Sequence, residues 1–280
     1  MNETVWDENA PENAFEKATA EYSALRPDYP YESVLAALQG PNQNLLTTQT
    51  LTVADIGAGT GKLSAQLTAL VKNLTAVEPA HAMRTQCDTY LRAQTHPNNP
   101  KNWEILDGTA EKTGLPNQSQ DVITYAQCWH WVEPEAAAKE AKRILKPGGH
   151  IAILYNQMDV TIPWVQRLSR IMRSGDIHSH DKPPRMTTTY HDPKTGYPTG
   201  ESVNLFTEFS LHQARFSVEM APQQVLGLGR TRSSYLKSTA KNREKMQENL
   251  RWYLYEHLGY QPGETISIPY YTLTWMANVR

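Results

Sequence analysis

The run Asp55-Ile56-Gly57-Ala58-Gly59-Thr60-Gly61-Lys62 gathers the residue types best suited to holding a ligand. Glycine adopts backbone angles that other residues resist, and it lets a ligand approach the main chain closely. Three ligand types compete for such a turn. A phosphate-binding P-loop needs G-x-x-x-x-G-K-[ST]; here the spacing is one residue short, and Leu63 stands where the magnesium-binding hydroxyl belongs. A dinucleotide site needs G-x-G-x-x-G, whereas this turn is G-x-G-x-G with an acidic residue before it. The third is a nucleoside cofactor without a pyrophosphate. The Asp55 carboxylate repels phosphates and favours an ammonium or sulfonium group, which points to S-adenosylmethionine (SAM).

Two more carboxylates close later apolar runs. Glu78 lies nineteen residues after Gly59, and an acidic residue about 20 residues on can accept hydrogen bonds from ribose hydroxyls. NAD sites use the same device, so Glu78 alone does not choose between the cofactors. Asp107, opening Asp107-Gly108-Thr109-Ala110-Glu111, is placed to accept from an adenine amino group.

These residues need a scaffold that brings them to one edge. Short apolar runs at 51–56, 74–78, 103–107, 121–126 and 150–155 read as strands. Between them, 62–70, 83–91 and 134–145 read as helices, the last opened by Pro134 and stopped by Lys146-Pro147-Gly148-Gly149. Strands alternating with helices predict a parallel sheet covered on both faces. Outside this stretch, 12–39 reads as helical with Tyr31, Val34, Leu35 and Leu38 on one face, and 40–50 as a linker. A helix is expected at 164–173, a long loop at 174–204, a strand at 209–218, an amphipathic helix at 241–258 and a last strand at 266–279.

With 280 residues, 39% hydrophobic and 20% charged, the chain has material for a sizeable core. Its net charge of -2 gives no general pull on nucleic acid or on an anionic membrane, so neither is expected as a partner. It has no apolar run long enough for a membrane helix, and its polar, acidic first residues do not read as a signal peptide, so a cytoplasmic location is expected. Two cysteines exclude a disulfide scaffold and a four-cysteine zinc site. The spacing of His178, His180, Asp181 and His191 matches no ligand motif, and no metal is expected.

Taken in order, Val53–Gly61, Val77-Glu78-Pro79, Asp107–Pro116, Asp121-Val122-Ile123 and Leu145–Gly149 resemble the class I SAM-dependent methyltransferases. With Tyr22–Pro30 before the core and Ala126–Trp131 after the fourth strand, the chain is similar to the methyltransferase type 11 and trans-aconitate methyltransferase-like group. The resemblance implies an α/β fold with a Rossmann-like, seven-stranded, mostly parallel sheet and an antiparallel last strand. It also implies a helical cap segment over 1–45, a cofactor-binding core over 46–158, a cap insertion over 159–205, and the C-terminal part of the sheet with acceptor-side elements over 206–280.

The cofactor contacts so implied are Tyr22, Arg26, Asp55, Gly57, Ala58, Gly59, Thr60, Gly61, Glu78, Pro79, Met83, Asp107, Thr109, Ala110 and Gln127. Tyr22 and Arg26 match an N-terminal pair that closes over the methionine end of the cofactor in similar enzymes. The acceptor would be a small molecule, and the several arginines lean towards an acidic one. Trp129, His130, Trp131, Arg232, Tyr235 and Tyr270 are its expected contacts. His130 is the candidate catalytic residue, since imidazole takes a proton near neutral pH; it could equally bind an anionic acceptor or pack structurally. If Trp129 and Trp131 lie on an extended segment, only one faces the pocket. Two other functions stay open at this point: an NAD-dependent oxidoreductase and a non-catalytic SAM-binding regulator.

Overall fold

The computed structural model describes residues 20–42, 47–94, 101–173, 182–186 and 205–280. Its strands are β1 (Thr52–Ile56), β2 (Asn73–Val77), β3 (Trp103–Leu106), β4 (Gln120–Ala126), β5 (Leu145–Met158), β6 (Ser210–Met220) and β7 (Ile266–Asn278). They form one seven-stranded sheet in the order β3-β2-β1-β4-β5-β7-β6, with an antiparallel last strand. The strand pairs from β3 across to β5 are parallel.

Register is what positions the site. Ile56 pairs with both Val77 and Tyr125, and Val77 pairs with Leu106. The carboxyl ends of β1, β2, β3 and β4 therefore lie level, and Gly57, Glu78 and Asp107 each follow directly. From β1 the chain steps outward to β2 and β3, then crosses back to β4 on the other side of β1. That reversal is the switch point beside which open α/β sheets bind ligands.

The helices are α1 (Ala20–Leu25), α2 (Tyr31–Gln39), α3 (Lys62–Thr68), α4 (His81–Gln94), α5 (Pro134–Ile144), α6 (Pro163–Met172), α7 (Pro222–Arg230), α8 (Ser233–Leu236) and α9 (Ala240–Arg251). The start of α5 follows from its chemistry: Pro134 supplies a fixed φ, and the Glu133 carboxylate accepts from the amides of Glu135 and Ala136. A run of π-helix, Trp252–His257, continues α9.

Several expectations need correction. The helix expected over 12–39 is broken after Leu25 through Pro30, because proline disfavours helix in the residue before it. Tyr31 is 62% exposed and lies off the buried face, which is Ser33, Val34, Ala37 and Leu38. Lys146–Gly149 does not separate a helix from a strand. These residues lie inside β5, where pairing jumps from Gln120↔Leu145 to Val122↔His150 and the extra length bulges out. The helices α7 and α8 lie where sequence gave no helix, and α9 gives way to π-helix from Trp252 instead of running on to Leu258.

The described residues fall into two compact units. One comprises Asp28–Tyr155, Ser179–Ala214 and Thr272–Arg280. Its core packs Val53, Leu63, Leu67, Leu74, Cys87, Leu91, Trp103 and Val122 between sheet and helices. Within it His150 accompanies α2, its Nε2 2.8 Å from the Ala37 carbonyl and its ring against Gly40. The other comprises Met1–Pro27, Asn156–His178 and Arg215–Tyr271, with a separate core that includes Val165, Leu168, Val225, Leu250, Tyr253 and Ile268.

Candidate active site

The glycine turn is built from three left-handed residues, with φ of 66° at Gly57, 58° at Gly59 and 83° at Gly61. The reasons differ along the turn. A Cβ on Gly57 would come within 2.8 Å of the Cys128 Cβ, and one on Gly61 within 2.7 Å of the Cys87 Sγ. At Gly59 a Cβ would meet nothing within 4 Å among the described residues. The turn is thus packed at both ends and open in the middle.

Two carboxylates hold it. Asp55 is fully buried; its Oδ2 accepts from Ser64 Oγ at 2.6 Å and its Oδ1 from Thr124 Oγ1 at 2.8 Å. Burial pushes its carboxyl up to about 6, against the pull of these two hydroxyls. Glu78 spans the next gap: Oε2 accepts from the Gly59 amide and Oε1 from the Ala80 amide, both at 2.9 Å. Burial raises the Glu78 carboxyl as well, while the amides of Ala80 and Gly59 draw it down.

Asp107 is held differently. Its side chain is 72% exposed, yet both oxygens are gripped by Arg84. Thr109 is exposed in a short turn closed by reciprocal backbone bonds with Lys112, and Ala110 is buried beside it. Met83 is buried on the inner side of α4, and Pro79 is half-buried. Beyond the turn, Thr113 donates to Glu140 from both its amide, at 2.9 Å, and its hydroxyl, at 2.6 Å.

After β4 the chain turns sharply. Gln127 has φ of 59°, unusual for a residue with a side chain, and its amide donates to the Leu154 carbonyl. Cys128 donates its thiol to the Ile56 carbonyl at 3.1 Å. Trp129–Trp131 then form a 3-10 turn, so the alternation expected of an extended segment does not apply. Trp129 is buried edge-on against Tyr125 at 4.7 Å, and its indole N–H donates to the Arg185 carbonyl at 2.8 Å. His130 is exposed, its ring 5.4 Å from that of the half-buried Trp131.

The remaining expected residues lie in the other compact unit. Arg26 donates from Nη2 to the Thr231 carbonyl at 2.7 Å. Tyr270 is buried; burial raises its phenol, and the nearby positive charges of Arg232 and Arg26 pull it back. Alternation on β7 leads to one inward and one outward tyrosine, but Tyr271 is buried as well, because both faces of this strand are covered. Tyr235 is half-buried, with the Arg243 guanidinium 5.5 Å from its ring centre. Tyr22 belongs to α1, and its side chain lies outside the described residues, as do His178, His180, Asp181 and His191. Among the described residues no group of three or more His, Cys, Asp or Glu is arranged to hold a metal, and no helix is long and apolar enough to cross a membrane.

Sequence reasoning missed Ser64, Thr124, Arg84 and Glu140. Ser64 carried a faint signal, as a polar residue between Leu63 and Leu67 on an otherwise buried face. The other three each meet a site partner more than 20 residues away, Asp55, Asp107 and Thr113 respectively, and no local pattern marks those pairings.

Comparison with known proteins agrees with this architecture. The methyltransferase domain family matches residues 54–153, the stretch from β1 into β5. An uncharacterized methyltransferase of Mycobacterium tuberculosis is 31% identical over 267 residues, covering 95% of this chain and 96% of the relative. The chain belongs to the class I SAM-dependent methyltransferases. Two solved structures share the fold. One, from Anaeromyxobacter dehalogenans, has a TM-score of 0.57 at 22% identity, covering 91% of this chain and 97% of its own. The other, the YcgJ protein of a Bacillus, has a TM-score of 0.52 at 17% identity, covering 90% and 99%.

Proposed function

We propose that this protein transfers a methyl group from SAM to a small acidic acceptor in the cytoplasm, by in-line displacement. The observation that carries the cofactor half is the turn at Gly59. Its amide is pinned by Glu78, while among the described residues nothing fills the space a side chain would occupy. Bare main chain at the carboxyl edge of a parallel sheet, beside the strand-order reversal, suits a nucleoside lying against the backbone.

In this reading Glu78 meets the ribose and Asp107 the adenine amine. Gly57, Ala58, Gly59, Thr60 and Gly61 supply the backbone wall, with Pro79, Met83, Thr109 and Ala110 around the base. Gln127, Tyr22 and Arg26 serve the methionine end, and residues 1–45 and 159–205 act as cap. Asp55, closed in by Ser64 and Thr124, acts by holding the turn in shape.

SAM supplies an already activated methyl group. The protein's task is to orient the acceptor and exclude water. Trp129 and Trp131 serve as apolar wall, and Arg232, Tyr235 and Tyr270 as acceptor contacts. His130 takes a proton from a hydroxyl or nitrogen acceptor; a carboxylate needs no base, and there the imidazole serves as a hydrogen-bond partner. The acidic acceptor is supported by the charge of Arg232 beside Tyr270 and by the likeness to the trans-aconitate methyltransferase-like group.

Calorimetric titration with SAM, S-adenosylhomocysteine (SAH) and NAD tests the cofactor half, on the wild type and on Asp55→Ala and Glu78→Ala. SAM and SAH binding that both variants weaken is expected; binding of NAD alone would overturn it. Labelled SAM offered with small carboxylic acids and their neutral amides tests the acceptor. Label entering only the amides would sink the acidic half.

A further inference from the structure

Arg84, in the first turn of α4, has no place in the sequence motifs, yet its guanidinium ties two strand ends together. Nη1 reaches the carbonyl oxygens of Glu78 at 2.8 Å and Pro79 at 2.5 Å, just past β2. Nη1 and Nη2 also reach Oδ1 and Oδ2 of Asp107, just past β3, each at 3.0 Å. The exposures of the pair are lopsided: the Arg84 side chain is 18% exposed and that of Asp107 72%.

An exposed aspartate samples several rotamers, and an exposed ion pair adds little to stability. This pair is built otherwise. The guanidinium is fixed first, by the two carbonyls and by the anchored start of α4, where the Arg84 amide donates to the Ala80 carbonyl. Its planar fork then sets the plane of the Asp107 carboxylate. Two of the four lone-pair directions of that carboxylate are used by the fork, and two remain to accept from something else.

We propose that Arg84 is a positioning residue that selects the cofactor's base: it locks Asp107 in the orientation that accepts a hydrogen bond from an adenine amino group. The proposal rests on the reading of Asp107 given above. It makes base selection a property of the pair, and it separates Arg84 from a residue that merely braces the turn after β2.

The test is the affinity for SAH against that for S-inosylhomocysteine, whose base carries a carbonyl where adenine carries the amine. Both are measured by calorimetry on wild type, Arg84→Met, Arg84→Lys, Asp107→Ala and the Arg84→Met/Asp107→Ala double variant. The wild type is expected to prefer SAH by about tenfold or more, the scale of one hydrogen bond to a charged group. That preference collapses in Arg84→Met and in Asp107→Ala, and the double variant loses no more than either. Arg84→Lys also fails to restore it, because an ammonium cannot hold both oxygens in one plane. If Arg84→Met does not fold, Arg84→Lys carries the same comparison with charge and stem retained.

A residue that only braces the turn would weaken both ligands by the same factor and leave the preference intact; that result overturns the proposal. So does a wild type that binds both equally, although SAM binding itself would then stand. A wild type that binds neither ligand overturns the cofactor reading as well.

Discussion

Ser64 donates its hydroxyl to the buried Asp55 carboxylate at 2.6 Å, joining the first turn of α3 to the strand before the glycine turn. The bond, with its partner from Thr124, lowers the cost of a buried charge without removing it: the Asp55 carboxyl still sits at about 6, against an ordinary 3.8.

A carboxyl raised in the folded state holds its proton more tightly there than in the unfolded chain. The stability it contributes is full below about pH 3.8 and is lost as pH rises through about 6. At about 1.4 kcal/mol per pH unit, the loss is on the order of 3 kcal/mol. Asp55→Asn abolishes this slope. Urea unfolding from pH 4 to 7.5 should show the gap between variant and wild type shifting in favour of the variant as pH rises. A gap independent of pH contradicts the burial argument.

His150 gives a slope of the opposite sign. Burial lowers its pKa from the ordinary 6.5, against the pull of the Ala37 carbonyl and Asp121. Stability is full above about pH 6.5 and falls as acid charges the imidazole in the unfolded chain first. His150→Ala removes this dependence. It also opens a space beside Gly40 and leaves the Ala37 carbonyl unmet, at a cost of about 2–4 kcal/mol at neutral pH. Comparing thermal unfolding at pH 5.5 and 7.5 for both proteins checks the sign and the size.

The two crowded ends of the glycine turn respond differently to relief. Gly61→Ala collides with the Cys87 Sγ, whereas the Cys87 Cβ is at a tolerable 3.5 Å. Cys87→Ala should therefore rescue part of the stability lost in Gly61→Ala. Gly57→Ala meets the Cys128 Cβ itself, at 2.8 Å, so Cys128→Ala should rescue little. Gly59→Ala costs only its left-handed strain, about 1–2 kcal/mol, and should fold while losing SAM affinity. Equal rescue in the two double variants would contradict the contact geometry.

Glu140 anchors the segment after Asp107. Partial burial tends to raise its carboxyl, but Arg143 and the two donors of Thr113 outweigh this and hold it at about 2. Its contribution is present above about pH 4.5 and is lost as pH falls towards 2. The Arg143 partner is 38% exposed, so screening limits Glu140→Gln to about 1 kcal/mol. The clearer signal should be faster amide hydrogen exchange at Thr113 and Leu115, measured against distant amides of β5.

β1, β2 and β3 were legible because each is a short apolar run closed by glycine or an acid, and register then levelled Gly57, Glu78 and Asp107. What stayed hidden depends on partners far along the chain. Pro222–Arg230 contains Gly227 and Gly229, which argue against a helix locally, yet Leu250 comes so close to Gly229 that a Cβ there would lie 2.7 Å away. Lys146–Gly149 carries every mark of a turn, and only its pairing against β4 makes it a bulge within a strand.

The chain's two cysteines both lie against the glycine turn, and both thiols are pushed up by burial, that of Cys87 to about 12. Cys87 is fully buried as well, so an alkylating reagent reaches its thiol only when the turn opens, whereas Cys128 is half-buried. Labelling rate at Cys87 is then a gauge of how often this segment opens. A maleimide clock run with and without SAH would time that opening without an engineered reporter.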